Sequence, residues 1–425
     1  MSDLIPGGWK YSTLSDLCKF TGGSAFKEQY QGELSGDYPF IKVSDMNLPM
    51  NQRYISQSNN WIDDHVRLKA KVKLFPKNSV VFAKVGAALL LNRRRILIRD
   101  TAIDNNMMAA QPRYDDYHFL YYIMQSIDLA EIVQSGAVPS VNQGQMDDIA
   151  VLIPPLPEQQ KIAAILTSVD EVIEKTQAQI DKLKDLKTGM MQSLLSPIES
   201  KGVGIDGKPH TEFKDSPVGR IPKGWDCILL DKVAKRGSGH TPDKQRSEYW
   251  NEGIKWVSLT DSSKLDNLYL NDTAKKISQL GIENSSANMH PKGTVVMARD
   301  AGIGKSAIIT DSMAVSQHFM AWVCGEKLNN YFLYYLLQLW KPNFEAIAMG
   351  STIKTIGLPY FKKLQIPVPS IDEQSLIACA LKSVDGRIFA LQRKNSSLKS
   401  TKKALMQDLL TGKVRVNVAS EIGSH

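Results

Sequence analysis

The chain repeats itself once at an offset of about 215 residues, and this duplication restricts its fold more than any other feature. The matching segments keep the same order in both copies, which chance similarity would not do. They pair residues 5–9 with 221–225, 40–45 with 256–261, 76–84 with 291–299, 119–122 with 332–335, and 168–170 with 383–385. A period this long is unsuited to a solenoid, so the sequence predicts two copies of one domain-sized unit.

Each copy opens with about 150 residues of mixed pattern. Residues 79–82 and 294–297 are β-prone runs that follow Pro-Lys turn signals. Residues 117–132 and 331–340 carry apolar side chains at helical spacing. The first part of each copy is therefore predicted to be a mixed α/β globule.

Each copy ends in a long amphipathic helix with a heptad seam, in which steps of four and three residues alternate. The apolar seam positions are Ile162, Leu166, Val169, Ile173, Ile180, Leu183, Met190 and Leu194, then Ile377, Leu381, Val384, Ile388, Leu391, Leu398, Leu405 and Leu409. Four polar residues interrupt the seam and are expected to fix its register: Thr176, Lys187, Asn395 and Lys402. Residues 158–195 would span roughly 57 Å as a helix.

The seams need an apolar partner, and the economical one for each helix is the other helix. The alternative is that each helix packs only on its own globule, as single amphipathic helices usually do. Pro157 precedes the first helix, and Pro197 and Gly412 mark the helix ends. The predicted divisions are two globules (1–153 and 223–367), two spacer helices (154–196 and 368–425, the latter with a tail) and a linker (197–222).

The net charge of +8 is spread unevenly over the copies. Residues 1–153 carry 16 basic and 16 acidic side chains, whereas residues 201–366 carry 22 and 16. A mild basic balance is compatible with a polyanionic partner and is weak support for nucleic acid by itself. The difference between the two globules indicates that the copies have diverged.

Composition excludes several classes of protein. No apolar run approaches the roughly 20 residues of a membrane span, and residues 1–10 lack a signal-peptide pattern. We therefore expect a cytoplasmic protein without membrane contact. The four cysteines (Cys18, Cys227, Cys324 and Cys379) form no CxxC pair, so buried free thiols are expected rather than a metal site.

The order globule, long helix, globule, long helix resembles the specificity (S) subunits of type I restriction–modification systems. The residues that carry the resemblance are Ile-Pro-x-Gly-Trp at 5–9 and 221–225, the helix start at 155–163, the related start at 369–374, and residues 211–216. The resemblance covers nearly the whole chain and is most specific at the start of the first helix. It implies two target recognition domains separated by two antiparallel spacer helices.

The resemblance also implies a function and partners. Each recognition domain would read one half of a split site in double-stranded DNA, with an unread gap between the halves. Two modification (M) subunits would bring S-adenosylmethionine and methylate adenine N6. Two restriction (R) subunits would bring ATP, Mg and cleavage, so this chain would hold no cofactor itself. Duplicated readers on one face of DNA are a familiar arrangement in dimeric binders.

Candidate DNA contacts follow from residue type within the copies, since Lys and Arg suit phosphates and amide side chains suit base edges. In the first copy they are Lys84, Arg93, Arg94, Arg95, Asn105, Asn106, Asn142 and Gln143. In the second copy they are Lys235, Arg236, His240, Arg299, Lys305, Gln317, His318 and Lys354. The pairs at 105–106 and 317–318 align with each other, and they could equally well stabilise a turn.

The sequence contains no legible catalytic motif. The Asn-Pro-Pro-Tyr tetrapeptide of amino-methyltransferases is absent, and Pro154-Pro155 follows Ile153. Residues 302–306 look like the end of a phosphate-binding loop, but Arg299 stands where that motif needs glycine. The leading prediction is a non-catalytic DNA-recognition subunit. The alternatives are a fused restriction–methylation enzyme, and a scaffold that holds two partner proteins at fixed spacing.

Overall fold

The computed structural model describes residues 5–113, 116–133, 138–195, 208, 210–350 and 354–418. The chain forms two compact units. Unit 1 comprises Met1–Thr176 and Lys394–His425, and unit 2 comprises Gln177–Arg393. Each unit therefore contains one globule together with parts of both long helices, so the unit boundaries pass through the predicted spacer helices.

Unit 1 contains eleven strands among the described residues. They are β1 (Lys10–Thr13), β2 (Cys18–Gly22), β3 (Tyr38–Ile41), β4 (Tyr54–Ile55), β5 (Trp61–Ile62), β6 (Leu74–Phe75), β7 (Val80–Ala83), β8 (Arg94–Leu97), β9 (Thr101–Ile103), β10 (Met107–Pro112) and β11 (Ala150–Ile153). Its helices are α1 (Leu14–Leu17), α2 (Asp64–Lys69), α3 (Ala87–Leu90), α4 (Tyr117–Ser126), α5 (Gln143–Asp147) and the first half of α6 (Leu156–Leu195).

Unit 2 repeats this series. Its strands are β12 (Phe213–Lys214), β13 (Ile221–Pro222), β14 (Asp226–Leu229), β15 (Ala234–Ser238), β16 (Trp250–Val257), β17 (Tyr269–Leu270), β18 (Lys275–Ile277), β19 (Met289–His290), β20 (Val295–Ala298), β21 (Ser306–Ile309), β22 (Met313–Val315), β23 (Phe319–Cys324) and β24 (Gln365–Val368). Its helices are α7 (Gln279–Glu283), α8 (Asn330–Leu339), α9 (Lys341–Ile347), α10 (Leu358–Lys362) and the first half of α11 (Ile371–Leu410).

Apart from the β12–β13 pair, which only unit 2 has among the described residues, the sheets confirm the duplication strand by strand. The five-stranded sheet of unit 1 has the order β2-β10-β7-β8-β4, and that of unit 2 has the order β15-β23-β20-β21-β17. The four-stranded sheets, β5-β3-β9-β6 and β18-β16-β22-β19, correspond in the same way, as do the two-stranded β1-β11 and β14-β24. The mixed α/β fold predicted from the repeat is therefore present in both copies.

Apolar strand and helix residues form the globule cores. In unit 1, Phe20, Val80 and Phe82 of the five-stranded sheet pack with Phe119 and Tyr122 of α4. In unit 2, Val295, Met297 and Trp322 pack with Phe332 and Tyr335 of α8. The helix predicted over 117–132 is shorter than expected: α4 ends at Ser126, and a 3₁₀ turn follows at Leu129–Glu131.

The two long helices are each 40 residues long and are buried along the predicted seam. The buried apolar seam residues are Ile162, Leu166, Ile180, Leu194, Ile377, Leu381, Val384, Ile388 and Leu409, and the half-buried ones are Val169, Ile173, Leu183, Met190, Leu391, Leu398 and Leu405. Helix α6 begins at Leu156, so Pro157 lies inside its first turn, where proline is tolerated. Pro197 lies outside the described residues, and α11 ends two residues before Gly412.

The seam of each helix was predicted to pack either on the other helix or on the helix's own globule, and both kinds of packing occur within the units. In unit 1, Ile162 and Leu166 join the globule core together with Leu409 and Leu410 of α11. In unit 2, Ile180 packs with Val384 and Ile388. The order of the contacts is antiparallel, because in unit 1 the side chain of Glu158 meets Arg415 and that of Asp170 meets Lys402. Each helix thus packs on its own globule and on the other helix.

The segment predicted as a linker contains local structure. Strands β12 and β13 pair antiparallel, with Phe213 opposite Pro222. His210 Nε2 lies 2.5 Å from Glu373 Oε1 at the start of α11, and that same carboxylate accepts a hydrogen bond from Trp225 Nε1 at 3.0 Å. The end of the linker is therefore attached to the framework of unit 2. In the part of the chain that the structure describes, no helix is long and apolar enough to cross a membrane.

Candidate nucleic-acid interface

In unit 1, strand pairing brings four loop segments to one end of the five-stranded sheet. These segments, here called loop end 1, are residues 22–24, 84–86, 104–106 and 138–142. The ends of β2 and β7 lie opposite the start of β10, with Gly22 paired to Met108 and Ala83 paired to Met107. Ser24 bridges to Asp104, and Val85 bridges to Ser140. The predicted candidates Lys84, Asn105, Asn106 and Asn142 therefore belong to one surface.

Unit 2 builds the equivalent surface, here called loop end 2, from residues 239–241, 299–300, 316–318 and 354–355. Ser238 is paired to Met320, and Ala298 is paired to Phe319. Asp300 bridges to Thr355, as Val85 bridges to Ser140 in unit 1. The predicted candidates His240, Arg299, Gln317, His318 and Lys354 come together here.

The two loop ends share their backbone hydrogen bonds. The amide of Lys84 donates to Asn106 O at 2.8 Å, and the amide of Arg299 donates to His318 O at 3.0 Å. Val141 donates to Lys84 O at 3.0 Å, and Ile356 donates to Arg299 O at 2.9 Å. The same frame therefore carries different side chains, with Lys84 and Asn106 in one copy and Arg299 and His318 in the other.

Glycine is required where the β2 and β15 loops turn against their neighbours. A Cβ on Gly23 would collide with the backbone carbonyls of Ile103 and Asp104. A Cβ on Gly239 would collide with the carbonyl of Val315. These close approaches hold residues 22–24 and 239–241 beside the 104–106 and 316–318 turns, so the glycines are positioning residues of each surface.

The candidates in the two loop ends are exposed or half-buried, and so are Arg93, Gln143 and Lys305, which lie outside them. Exposed are Asn105, Asn106, Asn142, Gln143, His240, Gln317 and Lys354, and half-buried are Lys84, Arg93, Arg299, Lys305 and His318. Several already have local partners. Asn142 caps α5, because its side chain accepts from Gln145 N at 2.9 Å. Arg299 Nε donates to Gln317 O at 3.0 Å, and Lys305 Nζ donates to Ser262 O at 3.3 Å.

Arg94 and Arg95 lie inside unit 1 rather than on its surface. Arg94 is 1% exposed, and its Nη2 donates to Ile127 O at 2.8 Å. Arg95 donates to the backbone oxygens of Met46, Asn51 and Arg94. Burial lowers the pKa of Arg94 to about 10. All three arginines of this run were predicted as DNA contacts, but Arg94 and Arg95 are buried in β8 and hold neighbouring loops against it.

Lys235 and Arg236 lie away from loop end 2. They are on β15 opposite Val323 and Trp322, nearer the start of the strand than the loop that follows it. The Nε of Arg236 is 2.9 Å from Asp231 Oδ1, so this guanidinium already has an ionic partner. Two residues of loop end 2 escaped the sequence reasoning: Thr241, which bonds to Gln317, and Asp300, which bonds to His318. Only the fold brings these pairs together.

The described residues show no constellation that points to catalysis. No group of three or more His, Cys, Asp or Glu side chains in the described ranges could hold a metal ion. Burial raises the pKa of the Cys18 and Cys324 thiols to about 12, so these sulfurs are poor nucleophiles. All four thiols are free, but only Cys18 is buried: Cys227 and Cys324 are half-buried and Cys379 is exposed, contrary to the expectation that all four are buried.

Comparison with known proteins identifies the class. The family model described as "Type I restriction modification DNA specificity domain" matches residues 6–185 and again residues 222–400. The chain therefore belongs to this family and contains its domain twice, in the two copies that the repeat predicted. It is a specificity subunit of the type I restriction–modification kind.

Individual relatives match this chain over half or more of its length. The type I restriction enzyme MjaVIII specificity subunit of Methanocaldococcus jannaschii is 25% identical over 427 residues, covering 97% of this chain and 94% of the relative. The EcoDI specificity subunit of Escherichia coli is 21% identical over 247 residues, covering 54% of this chain and 50% of the relative. The S subunit structure from M. genitalium shares the fold with a TM-score of 0.61 and 14% identity, covering 96% and 97% of the two chains.

Proposed function

We propose that the chain recognises a two-part sequence in double-stranded DNA through loop end 1 and loop end 2. The observation that carries this proposal is the shared backbone frame with different polar side chains on it. Main-chain hydrogen bonds fix where the side chains start, and side-chain identity then decides which base edges each surface can match. Because the surfaces differ, the two half-sites need not be related by symmetry.

The contact set is narrower than the sequence suggested. Arg94 and Arg95 are excluded by burial, and the amide oxygen of Asn142 is used in a helix cap. We assign base contacts to Asn105, Asn106, Gln317 and His318, and phosphate contacts to Lys84, Arg93, His240, Lys305 and Lys354. Arg299 supports the 316–318 turn through Gln317 O, so its main role is positioning.

The long helices supply the spacing in this proposal. Each is 40 residues long, or about 60 Å at 1.5 Å per residue. A helix pair with a buried apolar seam and ionic cross-links resists bending, so it would hold the gap between the half-sites constant. The chain itself would carry no catalytic step and no cofactor.

Partner subunits would perform the chemistry. By the relationship to other specificity subunits, we infer two modification subunits that methylate adenine N6 with S-adenosylmethionine. We also infer two restriction subunits that use ATP and Mg²⁺ to translocate and cleave DNA. The exposed outer faces of α6 and α11 are the surfaces we assign to these partners.

Co-expression of the chain with its modification subunit tests the proposal. Mapping of modified adenine over the host genome should give one motif of two short specific parts separated by a constant unspecified gap. Methylation of a continuous motif would contradict the two-reader arrangement. A chain that binds specific and random duplexes equally well at moderate salt would instead be a scaffold.

A further inference from the structure

The turn at 316–319 of loop end 2 is the feature from which the base preference of this surface can be inferred. Phe319 N donates to Ser316 O at 3.1 Å, so Gln317 and His318 occupy the two central positions of a tight turn. In unit 1, Met107 N donates to Asp104 O at 3.0 Å, and Asn105 and Asn106 occupy the same two positions. Central turn residues project from the end of the sheet, where DNA could reach them.

The imidazole of His318 is oriented by Asp300. Its Nδ1 lies 2.8 Å from Asp300 Oδ2, and Asp300 is 8% exposed. A carboxylate oxygen can only accept, so Nδ1 carries the proton of this hydrogen bond. In the neutral ring, Nε2 is then an acceptor. Asp300 is fixed in turn by its bridge to Thr355, so the direction of the acceptor is set by the fold.

The amide of Gln317 is oriented by Thr241. The hydroxyl Oγ1 of Thr241 donates to Gln317 Oε1 at 2.7 Å, across 76 residues of chain. With its oxygen engaged, Gln317 has its Nε2 donor left for another molecule. Within the described residues, neither Gln317 Nε2 nor His318 Nε2 has a hydrogen-bond partner. Two adjacent side chains thus present one donor and one acceptor in a fixed order.

This donor–acceptor pair matches one base. In the major groove adenine offers the N7 acceptor and the N6 amino donor, whereas guanine offers two acceptors, N7 and O6. We propose that Gln317 and His318 read an adenine in the half-site bound by unit 2, with Gln317 Nε2 donating to N7 and His318 Nε2 accepting from the N6 amino group. The inference rests on the proposed function and names the base that loop end 2 selects.

Asp300 and Thr241 act in this scheme as positioning residues, because neither needs to touch DNA. Loop end 1 is restrained differently: the side-chain amide of Asn106 interacts with the carboxylate of Asp104 in its own turn, and among the described residues the side chain of Asn105 has no hydrogen-bond partner. A carboxylate takes up a donor, so the amide oxygen of Asn106 and both groups of the Asn105 amide are left for a base. Asn106, which aligns with His318, is therefore the matched control position in the other reader.

Selection from a library of randomised duplexes with the full-length chain is the test. The wild type should enrich a two-part motif with an adenine at one position of one half. His318→Arg replaces the acceptor by donors and should change the preference at that position from adenine to guanine, by roughly 10-fold. Gln317→Ala should weaken the adenine preference there by a similar factor. The other half of the motif should stay the same in both variants and so report that the chain remains folded.

Two further variants separate positioning from general damage. Asp300→Ala should reduce the preference at the adenine position alone, whereas a structural defect would affect every position of that half. Asn106→Ala should change only the opposite half of the motif.

The inference is overturned if the wild-type motif is two-part but its unit 2 half contains no adenine. It is also overturned if His318→Arg and Gln317→Ala leave that half unaltered. A wild-type chain that enriches no two-part motif would overturn the proposed function instead.

Discussion

Lys402 Nζ lies 2.8 Å from Asp170 Oδ1 in unit 1, although the two residues are 232 positions apart. In unit 2, Lys187 Nζ lies 2.7 Å from Asp385 Oδ1. Both partners are related by the repeat, since Asp385 is the counterpart of Asp170 and Lys402 is the counterpart of Lys187. Each unit thus joins the aspartate of one long helix to the lysine of the other, and the pair recurs with its roles exchanged.

Removal of the lysine should destabilise unit 1. The side chains of Lys402 and Asp170 are only 15% and 10% exposed, so Lys402→Met would leave a largely buried carboxylate without its cation. We expect a loss of about 3 kcal/mol in the free energy of unfolding of unit 1. Hydrogen exchange of peptides from unit 1 during urea titration measures it. Lys399→Met, at an exposed position of the same helix, is the control, and equal values for both variants would refute the role of the pair.

The tyrosine that donates a hydrogen bond to Asp385 should also contribute to the stability of unit 2. Tyr335 OH donates to Asp385 Oδ2 at 2.7 Å, and burial together with Asp385 holds the pKa of Tyr335 far above its usual range. The phenol therefore remains a donor at all ordinary pH values. Tyr335→Phe should lower the stability of unit 2 by roughly 2 kcal/mol, the scale of a hydrogen bond to a charged group.

Urea unfolding followed by hydrogen exchange of unit 2 peptides measures this loss. Tyr331→Phe is the comparison, because among the described residues the hydrogen-bond partner of Tyr331 OH is the exposed Tyr269 OH, at 3.0 Å. We expect a change below about 1 kcal/mol for that variant. A loss at Tyr331 as large as the loss at Tyr335 would mean that the Asp385 network does not distinguish the two sites.

The framework could be predicted from the sequence because its signals are periodic. The repeat and the seam depend on spacing alone, and the four polar seam residues were recognised as interruptions. The acidic partners of the two seam lysines were not recognised, since Asp170 and Asp385 lie beside the seam and not in it. A heptad pattern identifies which residues face the partner helix, but it cannot say which acid on a flanking position reaches a buried lysine.

The surfaces were predicted less completely for a related reason. The turn positions 105–106 and 317–318 were found, because aligned polar pairs before an apolar strand are visible in sequence. The burial of Arg94 and Arg95 was not, because the backbone oxygens that accept from them, Ile127 O for Arg94 and Met46 O for Arg95, lie in distant loops. The same holds for the Thr241–Gln317 and Asp300–His318 pairs, which only the strand order brings together.

Gly412 should not tolerate a side chain. It follows α11 with φ +71°, and a Cβ there would lie 2.5 Å from Pro6 Cγ and 3.3 Å from Trp9 Cζ3. Gly412→Ala should cost about 1–3 kcal/mol, from left-handed backbone strain and from displacement of Pro6. Thermal unfolding of unit 1, followed by hydrogen exchange, measures the loss.

Gly386→Ala provides a control of opposite sign. Gly386 lies within α11, and a Cβ there would meet nothing within 4 Å. Alanine should therefore stabilise the helix by roughly 0.5–1 kcal/mol, because glycine loses more conformational freedom on folding. If both variants changed stability in the same direction, close packing against Pro6 would not explain the need for glycine at position 412.

His290 should make unit 2 sensitive to acid. Burial lowers the pKa of His290 below its ordinary value of 6.5, and Lys235 adds to this effect. Above that value both folded and unfolded chains are neutral at this residue. As the pH falls through 6.5, the unfolded chain takes up a proton that the folded unit resists, so stability is lost.

The comparison of wild type with His290→Phe between about pH 8 and about pH 5 isolates this contribution. Phenylalanine keeps an aromatic ring beside Gly237 but cannot bind a proton. The melting temperature of the variant should therefore fall less steeply with acidity than that of the wild type. Parallel curves for the two proteins would show that His290 does not cause the acid sensitivity.

Lys354 should contribute a phosphate contact without base preference. It is exposed and directly precedes Thr355, which bridges to Asp300 in loop end 2. Each phosphate contact that is lost lowers the slope of log K against log salt by about 0.9. A salt titration of duplex binding by Lys354→Ala should show this smaller slope, with the selected motif unchanged.

Lys232→Ala is the control. Lys232 precedes β15 whereas loop end 2 follows that strand, so this variant should have the same slope as the wild type. Equal slopes for the wild type and both variants would place Lys354 outside the DNA contact, and equal decreases would indicate general charge attraction instead of a located interface.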